Sequence, residues 1–142
     1  MSFQRPGAET RADRAAREIT RVYGEYAKDT AGLNLGGIAE RVMFDLDDAV
    51  TAGDLPNGLR FAILGRGDHL LVDVFGLTDD EVAAHTDVLE DVVGRYVAAY
   101  GYTNPEVAWD TRFTVTVRVL SEAEQFSLRN APGAIDVRHY PY

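Results

Sequence analysis

Cysteine is absent from this chain, which excludes a disulfide framework, a thiol nucleophile and every cysteine-ligated zinc or iron–sulfur site. Lysine is almost absent, with Lys28 alone among 14 basic residues, and those 14 face 23 acidic ones for a net charge of −9. That balance argues against sequence-independent nucleic-acid binding, which needs many cations to neutralise phosphates. No apolar run approaches the roughly 20 residues that cross a bilayer, and the opening MSFQRPGAETRADR lacks the apolar centre of a signal peptide. A cytoplasmic protein is expected, with neither a membrane nor nucleic acid as a direct partner.

What is present is an ordinary globular composition, 46% hydrophobic and 26% charged, on 142 residues, which suffices for one core. Residues 1–8 read as a flexible leader and 9–142 as a single domain. Ala12, Ala15, Ala16, Ile19, Val22, Tyr23 and Tyr26 recur every three or four residues. This predicts an amphipathic helix that turns Arg11, Arg14, Arg17 and Arg21 to solvent. A second helical stripe, Ile38, Val42, Met43, Leu46, Ala49 and Val50, ends at Gly53. In LRFAILGRGDHLLVDVFGL at 59–77, apolar residues flank a Gly-Arg-Gly-Asp turn, predicting a hairpin of 59–64 with 69–75. Thr78 and Glu81 make a capping box before the longest apolar stripe, Val82 to Tyr100. TRFTVTVRVL at 111–120 alternates, with Phe113, Val115, Val117 and Val119 on one face. Ser121 and Glu124 form a second capping box for a short helix through Arg129, and 134–139 reads as a last strand. The fold class expected is α+β, in the order α-α-β-β-α-β-α-β, with an antiparallel sheet of about four strands and helices packed on one face.

Chemistry-bearing residues are sparse. Arg66-Gly67-Asp68 sits at the tip of a hairpin, where backbone freedom explains the glycine, and a strand rather than a helix follows it, so no phosphate cradle is expected. His69, His85 and His139 lack ligand spacing, and Asp45, Asp47, Asp48 and Asp54 do not follow a calcium-loop pattern. No cofactor, metal site or catalytic residue is assigned; the acidic run reads as a solvated helix face. His85, one turn after Glu81, is the best general-base candidate if the protein is a small hydrolase or isomerase. Aromatics say more. Tyr96, Tyr100, Tyr102 and Trp109 gather around one connection, and His139, Tyr140 and Tyr142 close the chain. Tyr and Trp are enriched in contact surfaces, so the six beyond Tyr96 are the expected partner-binding residues.

Residues 38–82, IAERVMFDLDDAVTAGDLPNGLRFAILGRGDHLLVDVFGLTDDEV, resemble the helix, Leu-Pro turn and hairpin of a large-polyvalent-protein-associated domain of actinobacterial plasmids and phages. AIDVRHYPY at 134–142 is similar to the end of that domain, whereas GRGD replaces its Ser- and Gly-rich hairpin tip. The resemblance implies an accessory protein of a mobile element with no established catalytic residues. Together these readings favour a non-enzymatic protein-binding or adaptor domain whose partner is a protein, with a homodimer left open. The alternative is an acidic inhibitor that mimics nucleic acid towards a DNA- or RNA-binding protein.

Overall fold

The computed structural model describes residues 9–125. Its elements are α1 (Arg11–Ile19), β1 (Val22–Tyr23), α2 (Leu35–Ala52), β2 (Arg60–Arg66), β3 (His69–Leu77), α3 (Asp79–Ala98), β4 (Tyr102–Thr103) and β5 (Thr114–Ser121). A three-stranded sheet runs in the order β2-β3-β5, and β1 and β4 form a separate two-stranded antiparallel ribbon. The class is α+β, as the alternation of patterns implied.

The hairpin forms where the apolar runs meet the turn. Arg60 to Arg66 pair with Phe75 to His69, and Gly67 at φ 60 supplies the positive φ of a two-residue turn. Both expected capping boxes are present: Thr78 and Glu81 open α3, and Ser121 and Glu124 exchange hydrogen bonds at a helical turn after β5. The remainder of that turn's expected helix and the strand at 134–139 lie outside the described residues.

α2 and α3 cover one face of the sheet, α2 against β2 and α3 against β5. Ile38, Val42 and Leu46 of α2 and Leu89, Val93 and Val97 of α3 meet Ile63, Leu70, Val72, Val74 and Val119 in one core.

Three features differ from expectation. First, β5 joins β3 in parallel, His69 opposite Thr114, so the sheet is mixed rather than antiparallel. The reason is length: the 20 residues of α3 carry the chain back about 30 Å, which matches the roughly 30 Å run of the nine-residue β3. The chain therefore re-enters beside the start of β3, as in any strand–helix–strand crossover. Second, the first helix stops at Ile19 instead of reaching Tyr26, and Val22 and Tyr23 pair with Thr103 and Tyr102. Third, the buried side of α1 is the charged one. Arg17 is 9% exposed and is the helix's one buried residue, whereas Ala12, Ala15 and Ala16 are exposed and Ile19 is 83% exposed.

Candidate functional site: an acidic groove at Tyr26

The loop between β1 and α2 passes over the C-terminal end of α3 and is held there by its backbone. The Gly24 amide donates to the Gly101 carbonyl at 2.8 Å and the Tyr26 amide to the Ala99 carbonyl at 2.7 Å. Arg112, just before β5, locks the loop from beneath. Its guanidinium donates to the carbonyls of Ala27 at 3.1 Å, Tyr100 at 2.8 Å and Thr30. A planar fork of five donors suits this cluster of carbonyls, and a lysine would not satisfy it.

The loop so fixed places Tyr26 over a groove between α2 and α3. The groove encloses about 440 Å³. Ala49, Ala52 and Ala99 line it with the rings of Tyr26 and Tyr96, and Glu25, Asp45, Asp48 and Asp54 line it with carboxylates. Among the described residues Arg95 is its one cation, and it is already paired with Asp91. A second recess of about 470 Å³ shares Tyr26 and Asp45 and adds Asp29, Arg41 and Tyr100. Tyr26 remains 39% exposed, with its ring 5.2 Å from that of Tyr100.

Electrostatics follow from this crowding of carboxylates. The Tyr100 hydroxyl donates to Asp45. Burial, with that hydrogen bond and the Asp45 charge, pushes the Tyr100 phenol above its ordinary value. The neighbouring Glu25 carboxylate raises the Tyr26 phenol in the same sense. Both phenols are thus neutral at physiological pH, acting as hydrogen-bond donors and apolar plates rather than bases. The groove combines negative charge with apolar surface.

Of the six aromatic and histidine positions expected to meet a partner, Tyr100 is buried and lines the second recess. Tyr102 and Trp109 are half-buried and carry arginines on their faces, Arg21 at 4.1 Å and Arg17 at 5.0 Å. His139, Tyr140 and Tyr142 lie outside the described residues. His85 is exposed on α3, away from the groove, and lowers the Glu81 carboxyl only as a minor influence behind the Thr78 hydrogen bonds. Among the described residues no three His, Asp or Glu side chains come together as a metal-ligand set, and no helix is long and apolar enough to cross a membrane.

The sequence marks Tyr96 as one of a cluster of aromatics but does not single out Tyr26 or Glu25, and its acidic run reads as a solvated face. Its spacing held a signal: Asp45 and Asp48 are three apart and so share a helix face, from which Asp47 turns away. Comparisons with protein-family models, curated proteins and solved structures return no match.

Proposed function

We propose that this is a non-enzymatic protein-binding or adaptor domain whose contact site is the Tyr26 groove. One observation carries the reading: four carboxylates line a groove together with alanine methyls and tyrosine rings. That surface matches a cation on an aliphatic stem, since the stem covers apolar surface while the head reaches the carboxylates. The partner is accordingly a protein that offers a lysine or arginine side chain. A cytoplasmic setting and an accessory role in a plasmid or phage are parts of the same proposal, the latter supported by the resemblance at 38–82.

The test starts from a partner captured with the intact protein and then purified. Its binding is measured by calorimetry against Tyr26→Ala and the double variant Asp48→Asn/Asp54→Asn. Each is expected to weaken binding by about 1–4 kcal/mol, the range for anchors in an interface. Unchanged affinity in both would remove the groove from the interface. Affinity that collapses with salt but ignores Tyr26→Ala would point instead to mimicry of nucleic-acid charge.

A further inference from the structure

The underside of α1 is built like a ligand, and the loop beneath it like a receptor. Arg17 donates from Nε to Glu9 at 2.8 Å and from Nη1 to Asp110, and its guanidinium lies 5.0 Å from the Trp109 ring. Arg21, two residues past the end of α1, grips Asp110 with two nitrogens at 2.8 and 2.9 Å and covers the Tyr102 ring at 4.1 Å. Asp110 is 3% exposed and takes a further hydrogen bond from Asn104 at 3.0 Å. Asn104 also donates to the Arg17 carbonyl at 2.9 Å and accepts from Thr20 at 2.9 Å. A carboxylate flanked by two aromatic faces is the geometry that recognises guanidinium groups, by bidentate hydrogen bonds and by stacking.

Nothing apolar in α1 holds it down. Its alanines and Ile19 face outward, and nine residues are too few for a helix to persist alone in water. Buried ion pairs contribute little net stability because both charges give up hydration. The helix thus opens at less cost than α3 and β3, which are locked into the core.

We propose that the 102–110 loop is an arginine-recognition site that α1 and the residues just after it fill in cis, and that this segment is releasable, exposing the site to a segment of another protein that carries two arginines four residues apart at the end of a helix. This site is separate from the Tyr26 groove and does not rest on it.

The single tryptophan, Trp109, makes the test direct. In the full chain, Arg17→Gln/Arg21→Gln should shift Trp109 emission to the red. The α1 amides should exchange at least tenfold faster, with protection in α3 and β3 kept. A peptide of residues 9–21 added to this variant should bind saturably and reverse the shift. The same peptide carrying both Gln replacements should not. A folded variant that fails to bind the arginine peptide, or binds both peptides alike, would overturn the proposal. Should the variant fail to fold, native-state exchange of the unaltered chain decides. Opening of α1 at lower denaturant than α3 supports the proposal, and a single concerted opening overturns it.

Discussion

Two glycines on neighbouring turns of structure should respond to the same substitution with opposite signs. Gly24 lies where the Tyr26 loop crosses the end of α3. A Cβ built there would stand 2.3 Å from the Ala98 carbonyl oxygen and 2.6 Å from that of Ala99. Ordinary C···O contacts begin near 3.3 Å, so about 1 Å must be found. Neither side yields cheaply. The α3 end is held by its own hydrogen bonds, Ala99 amide to Arg95 carbonyl among them, and the loop by the Gly24 and Tyr26 amides. Overpacking costs about 1–3 kcal/mol, and losing the two loop hydrogen bonds adds about 1 kcal/mol each. Since movement that breaks the bonds relieves part of the clash, Gly24→Ala should destabilise by about 2–4 kcal/mol.

Gly94 sits inside α3, and a methyl placed on it would have nothing within 4 Å. There the methyl removes unfolded-state freedom and meets open space, so Gly94→Ala should stabilise by about 0.5–1 kcal/mol. Urea unfolding with unchanged m-values measures both. If the two variants shift in the same direction, or Gly24→Ala stays within about 0.5 kcal/mol of the parent, the close approach of loop and helix is wrong, and with it the placement of Tyr26.

Leu89→Ala should cost about 2–5 kcal/mol in the same assay, whereas exposed Val88→Ala should stay within about 0.5 kcal/mol; equal effects would mean α3 is rotated. At alkaline pH, the raised Tyr100 phenol contributes stability that is complete below the unfolded value near 10 and is lost as pH rises towards the folded value. Asp45→Asn should bring that phenol down in an absorbance titration, and an unmoved Tyr100 would place Asp45 elsewhere. At acid pH, the hydrogen bond from Arg17 holds Glu9 below the usual carboxylate range. Asp110 is also depressed, because hydrogen bonds from Arg21 and Asn104 outweigh the opposing effect of burial. Their contribution is present above about pH 4 and is lost as pH falls through the folded values. Trp109 emission should therefore shift before core unfolding is seen by circular dichroism, and coincident transitions would argue against a separately held α1.

Local signals carried the hairpin, the capping boxes and the faces of α2, α3 and β5, because each is fixed by neighbours within a few residues. Gly67 sets the turn, Thr78 and Glu81 set the helix start, and the alternation from Phe113 to Val119 sets the buried side. What the sequence hid depends on distant partners. The acidic groove needs Asp45 and Asp48 of α2 brought under Tyr26, whose loop is pinned by Arg112, more than 80 residues further along. The parallel entry of β5 was legible in principle, since a strand, a long helix and a strand follow in order. Strand spacing alone was silent on direction.

The inverted face of α1 shows why an apolar stripe is a weak guide when it is made of alanine. Burying an alanine methyl gains only about 25 cal/mol for each Å² removed from water, and a methyl offers few of them. Three alanines therefore bias the helix by less than the cost of leaving Asp110 buried with its cations withdrawn. Arg17 and Arg21 find a buried carboxylate 93 and 89 residues away, and Asn104 and two rings complete their surroundings. Turning the helix over would bury the methyls but strand Asp110 without cations beneath a helix, a penalty of several kcal/mol for an isolated buried charge. The orientation of α1 is thus set by the need of Asp110. That is also why α1 should respond to the loss of its arginines more than to the loss of any apolar side chain it carries.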